Sequence, residues 1–152
     1  MTATEHRTTA ELDSRLDDIR DAPRDVGRLE LIVQRPAETE RVVVESGELD
    51  EADGLAGDNW RARGSRHTED GAAEPERQLT LMGARAIRAI AGDPDRWAPA
   101  GDQLYVDLDL SEANLPPGTR LRIGRAEAEV SPAPHRAASA PNRRRNLAQP
   151  RC

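Results

Sequence analysis

The chain reads as a mainly β protein, a small β-barrel-like fold with a short helix. Three observations predict it. Leu104, Val106, Leu108 and Leu110 alternate with Tyr105, Asp107 and Asp109, the two-residue period of a half-buried strand. Leu29, Leu31 and Val33 alternate with Arg28, Glu30 and Ile32 in the same way. Ala126, Ala128 and Val130 do so again against Glu127 and Glu129, each segment being bounded by turn residues.

Composition limits the alternatives. A chain of 152 residues allows one domain with tails and a core of moderate size. Aromatics are only 2% of the residues, so the core must come from Leu, Val, Ile and Ala. All 22 basic residues are arginine, and the net charge of -6 argues against general nucleic-acid binding, which needs a basic surface. No apolar run approaches a membrane span and the N-terminus lacks a signal-peptide core, so a cytoplasmic protein is expected. The one cysteine, Cys152, is the last residue, which leaves no internal disulfide or cysteine metal cluster.

The first unit, residues 1–26, is a polar lead and an appended helix. Thr8 and Glu11 form a capping-box pattern, Leu12, Leu16 and Ile19 follow at helical spacing, and Pro23 predicts a stop near Asp21. The domain proper spans residues 27–135. After the strand from Leu29 to Val33, Pro36-Ala-Glu-Thr-Glu40 leads to a second strand around Val42-Val43-Val44. Residues 46–77 form a long aperiodic loop, structured around Trp60 in its first half and expected to be disordered from Ser65 to Pro75. Gln78 to Met82 predicts another strand and Ala84 to Ala91 a helix stopped by Gly92. Pro94 and Pro99 bracket Trp97 in a connection to the central stretch, where Ser111 to Asn114 and Leu115 to Gly118 turn the chain into a strand from Thr119 to Ile123.

The third unit, residues 136–152, belongs to a tail that changes character after Val130. Ser131 to Cys152 carries five arginines and no acid, leaving 17 arginines against 28 acids in the rest. With almost no large apolar side chain it is expected to be disordered, and Arg143-Arg144-Arg145 admits an RNA-binding arm as one reading.

Residue chemistry alone narrows the function. There is no phosphate loop, since Gly54-x-x-Gly57 lacks a following Lys-Ser/Thr. His6, His67 and His135 stand apart without neighbouring ligands, so no metal site is expected. Asp58 is the acid of interest, either as part of a site walled by Trp60 or as a turn residue bonding its own backbone.

Gly54-Leu-Ala-Gly57-Asp58-Asn59-Trp60, then Gln78-Leu-Thr80-Leu-Met82, then Gly101-Asp102-Gln103 through Asn114-Leu115 to Gly118 together resemble a MOSC domain. That family includes the C-terminal domain of molybdenum-cofactor sulfurases and free-standing bacterial proteins. The resemblance covers about residues 27 to 135 and implies a β-barrel-like fold handling molybdenum cofactor or transferred sulfur. It implies a cysteine desulfurase-like sulfur donor as partner, and Gly57, Asp58, Gln78, Thr80 and Asn114 as cofactor-pocket positions. The chain departs from the family where a cysteine-bearing segment should follow Pro134-His135; Arg136-Ala-Ala-Ser-Ala140 stands there instead. A truncation or a shift of reading frame after codon 135 is the expected cause, with sulfur transfer impaired because it needs a positioned thiolate. A non-catalytic cofactor- or small-molecule-binding module, and an unrelated barrel that binds a protein, are the alternatives. On the first two readings Asp58, Gln78 and Asn114 are expected to converge on one concavity, which separates them from the unrelated barrel; if closing strands are missing, the core is expected to be under-covered.

Overall fold

The computed structural model describes residues 6–132 and the backbone of residues 138–139 and 146–148. The capping box forms as expected: the Thr8 hydroxyl accepts from the Glu11 N–H while the Glu11 carboxylate accepts from the Thr8 N–H. The helix it opens is broken, however, into α1 (Thr9–Asp13) and α2 (Leu16–Arg20). The Ser14 hydroxyl donates back to the Glu11 carbonyl at 2.6 Å and closes the first piece.

The strand β1 (Gly27–Gln34) is the axis of an eight-stranded mixed sheet. One of its edges carries β2 (Val42–Val44), antiparallel, with Ile32 opposite Val44. A two-stranded ribbon follows, β3 (Leu49–Asp50) with β4 (Gly54–Leu55), and then the short helix α3 (Trp60–Arg63). After a 3-10 turn at Pro75–Arg77 come β5 (Leu81–Gly83) and α4 (Ala84–Ala91), which ends at Gly92 with φ +81°. The strand expected from Gln78 thus begins three residues later. Two further 3-10 turns, Pro94–Arg96 and Ala98–Ala100, lead to β6 (Leu104–Asp107), parallel to β5 and antiparallel to β1 on its other edge. The hairpin β7 (Arg120–Ile123) and β8 (Ala126–Val130) turns at Gly124-Arg125 as the sequence predicts.

Two expectations need correction. About 25% of the residues lie in strands and 24% in helices, so the class is mixed rather than mainly β. The sheet is also open: among the described residues its order runs from β5 through β6 and β1 to β8 and beyond, with no pairing that closes a barrel. Strands of two to five residues apart from β1 supply too little ladder to bring the two ends round. The tail expected to be disordered contributes two short strands, β9 (Ala138–Ser139) against β8 and β10 (Asn146–Ala148) between β1 and β7; its other residues lie outside the described ones. Arg143-Arg144-Arg145 and the Pro134-His135 turn are among those.

A register shift between Leu29 and Leu31 decides how the two faces are filled. Simple alternation would put Leu29, Leu31 and Val33 on one face, but an irregularity at Glu30 exchanges the faces beyond it. Leu29 therefore joins Ile32, Leu55, Leu104, Val106, Leu121 and Ile123 in the core under the ribbon and the β7–β8 hairpin. Val33 faces the other way, with Ala84 and Ile87 of α4, Trp97 and Tyr105. The helix α4 turns Ile87 inward and leaves Ile90 58% exposed. The N-terminal segment is fastened to this framework by Arg85, which pairs with Asp107 at 2.8 Å and with Asp18 at 3.3 Å. Among the described residues no helix is long and apolar enough to cross a membrane.

Candidate functional site

Gly57 and Asp58 lie in the turn that leaves β4. Gly57 has φ +85°, a conformation that side-chain-bearing residues rarely adopt, so glycine is required by the backbone, and a Cβ there would only have to displace the amide end of Gln34. Asp58 is fully buried as a side chain and pairs with Arg35, itself only 9% exposed. Its Oδ1 accepts from the Arg35 backbone N–H at 3.0 Å and from Nε at 2.8 Å, while Oδ2 accepts from the guanidinium at 2.8 Å and from the Trp60 N–H at 3.1 Å. The bond to Trp60 is the turn-forming use of Asp58 noted from the sequence; the Arg35 fork makes that turn part of the core.

Gln78 closes the 3-10 turn and Thr80 lies just before β5, and the two are tied together by Gln103. The Gln103 Oε1 accepts from the Thr80 N–H at 2.8 Å and from its hydroxyl at 3.3 Å, while Nε2 donates to the Gln78 carbonyl at 3.2 Å. Gln78 in turn donates its side-chain amide to the Glu51 carbonyl of the ribbon. Arg35 reaches the same region from the other side, donating to the Gly101 carbonyl at 3.0 Å. One run of polar contacts therefore leads from Asp58 through Arg35 to the 101–103 segment, where Gln103 bonds both Thr80 and Gln78. Asn114 belongs to a different network: its amide donates to the Arg24 carbonyl at 2.8 Å and to the Asp109 carbonyl at 2.7 Å. It closes the turn beyond β6 onto the N-terminal segment.

Arg35 has no signal in the sequence, and Asp102 and Gln103, although part of the motif that carries the resemblance, are not among the pocket positions it implies. Burial pushes the Asp102 carboxyl above the ordinary aspartate range, against the opposing effects of a hydrogen bond with Thr80 and of Arg35. Tyr105 alongside is pushed up to about 12, chiefly by burial, and its hydroxyl donates to the Trp97 carbonyl at 2.9 Å. The sign for stability is set by the proton that the folded state holds more tightly at Asp102. Its contribution is complete below pH 3.8, the ordinary aspartate value, and is lost as pH rises through the raised folded value. Asp102→Asn is expected to flatten the fall in stability across that window, measured by denaturant unfolding at a series of pH values; an unchanged slope would show that Asp102 titrates as in the unfolded chain.

The run ends at a groove. A half-open cavity of about 520 Å3 lies between the β3–β4 ribbon and the β7–β8 turn, floored by Leu29, Ile32, Leu55, Leu104 and Ile123. A second cavity of about 260 Å3 continues it past Leu49 and Ala126 to Gln78. Their rims carry Glu48, Asp50, Glu51 and Glu127 against the single Arg125. Of the five positions implied by the resemblance, Gln78 lines this groove, Thr80 supports it through Gln103, and Asp58 is connected to it through Arg35. The hydrogen bonds of Asn114 belong to the Arg24–Asp109 network instead.

The fold and groove define a small mixed α/β domain with an apolar slot under an acidic rim. No protein-family model, no curated protein and no solved structure matches the chain. A molybdenum cofactor fits this groove poorly. Its phosphate calls for cations and its soft metal for a thiolate, whereas the rim is acidic and the only cysteine is Cys152.

Proposed function

We propose that the chain is a MOSC-related module that binds a small molecule without transferring sulfur, and that it does so in the cytoplasm. The observation that carries the binding reading is the groove beside Gln78, with its apolar floor and four carboxylates at the rim. Such a slot suits an apolar body of six to ten carbons carrying a protonated amine, because burial of the body is favourable and the rim complements the cation. The relation to MOSC domains is supported by the ordered motifs and by the polar run that joins Asp58, Thr80 and Gln78. Sulfur transfer would need a thiolate held in a positioned, electropositive setting; the rim of this groove is acidic and no cysteine is among its lining residues. The reading thus has no role for a sulfur-donating partner.

The test is displacement of the neutral dye Nile red by a matched pair, octylamine and octanoate. Octylamine is expected to displace the dye at concentrations at least tenfold lower, and Ala126→Phe, which fills the junction of the two cavities, to abolish the effect. Cys152→Ser is expected to change nothing. Equal displacement by both compounds, or no dye binding by the parent, overturns the ligand class; a loss in the serine variant returns the thiol to the mechanism.

A further inference from the structure

A third cavity, of about 710 Å3, shares no lining residue with the groove. It is built from α3 and the loop after it, which the sequence reading expected to be disordered. That loop is instead closed on itself: the Ser65 N–H donates to the Gly71 carbonyl at 3.1 Å, Thr68 Oγ1 to the Ala72 carbonyl at 2.7 Å, and Ser65 Oγ to the Glu74 carboxylate. Three arginines reach the cavity, in a chain whose net charge is -6. Arg77 is engaged with Glu74 at 3.3 Å, but Arg63 and Arg66 have no carboxylate partner among the described residues. Glu38 is then the one remaining acid of the lining, so two unpaired guanidiniums face one carboxylate.

Two further features mark this as a place for a ligand. Trp60, whose body is buried, supplies a flat wall. Asn59 lines the same space, and its Oδ1 is buried with no hydrogen-bond partner among the described residues. A buried acceptor without a donor is costly, and a hydroxyl entering the cavity would satisfy it. Guanidiniums with no carboxylate partner among the described residues, beside an acceptor that lacks a donor among them, call for one molecule carrying both an oxyanion and a hydroxyl.

We propose that this cavity binds a small phosphorylated polyol, with Arg63 and Arg66 on the phosphate and Asn59 on a hydroxyl. Planar guanidiniums match phosphate oxygens in pairs, which a single point charge does not. The site is independent of the groove, so each reading can fail alone.

Calorimetric titration of the full chain with glycerol 3-phosphate, inorganic phosphate and glycerol tests it. Glycerol 3-phosphate is expected to bind at least fivefold more tightly than inorganic phosphate, with an affinity that falls as salt is raised, and glycerol not to bind. Arg63→Gln with Arg66→Gln is expected to weaken glycerol 3-phosphate at least tenfold. Both side chains lie at exposed residues, so the double variant should keep the parent's melting temperature. Asn59→Ala is expected to bring glycerol 3-phosphate down to the level of inorganic phosphate. The proposal is overturned if the double arginine variant binds as the parent does, if phosphate and glycerol 3-phosphate bind equally, or if neither anion binds.

Discussion

Asp58→Ala is expected to bring this protein close to unfolding under ordinary conditions. Removing one partner of a buried ion pair costs about 3–5 kcal/mol, because the other charge is left without compensation. Here the survivor would be the Arg35 guanidinium, 9% exposed and held in place by its remaining bond to the Gly101 carbonyl. The same change strips an acceptor from the backbone N–H groups of Arg35 and Trp60. A small domain has about 5–15 kcal/mol in all, so the loss is a large fraction of it. The companion Arg35→Met/Asp58→Leu double variant removes both charges and should recover part of the loss. What it does not recover measures the two backbone bonds and the geometry of the turn. Urea unfolding of the parent, Arg35→Met, Asp58→Leu and the double closes the cycle. A loss below about 1 kcal/mol in Asp58→Ala, the range of an exposed pair, would mean that the carboxylate is hydrated and the turn held by other means.

That pair shows where the sequence was readable and where it was not. Asp58 stood out because Gly57 precedes it and Trp60 follows, a local pattern that fits in a five-residue window. Arg35 carried no such signal: it lies 23 residues away and is one of 22 arginines, so its type says nothing about its burial. Elements governed by local rules came through well. The end of the α4 helix was marked by Gly92, and the β7–β8 hairpin by alternation around Gly124. The β3–β4 ribbon was invisible because strands of two residues have no period to detect. The irregularity in β1 left a continuous apolar run, which the alternation rule divides between faces wrongly once one residue fails to pair. The groove was legible only at Gln78, since its floor is made of leucines and isoleucines that any core would use. Closure of the sheet depends on pairing between distant segments, which alternation within one strand does not encode.

Trp97→Ala is expected to be as damaging as the loss of Asp58, by a different route. The side chain is completely buried between α4 and β6, with its ring 5.7 Å from that of Tyr105 and the Arg88 guanidinium 5.2 Å above it. Truncating a tryptophan of this kind costs about 3–5 kcal/mol through lost contacts and the cavity left behind. Trp97 matters beyond its own volume, because Pro94 and Pro99 hold its backbone in two successive 3-10 turns whose carbonyl receives the Tyr105 hydroxyl at 2.9 Å. Its indole N–H fixes the end of α4 by donating to the Gly92 carbonyl at 2.9 Å. Loosening it should therefore also loosen Tyr105 and, next along the chain, the 101–103 segment that links Arg35 to Gln78. Trp97→Phe keeps an aromatic body and deletes the donor, so it is expected to cost about 1–3 kcal/mol, in line with one carbonyl left unpaired and a smaller ring. Unfolding followed by Trp60 emission, the one indole left in both variants, measures the two costs on the same probe. Equal losses in the two would assign the effect to the hydrogen bond alone, and a near-parental alanine variant would show that α4 packs on the sheet without this ring.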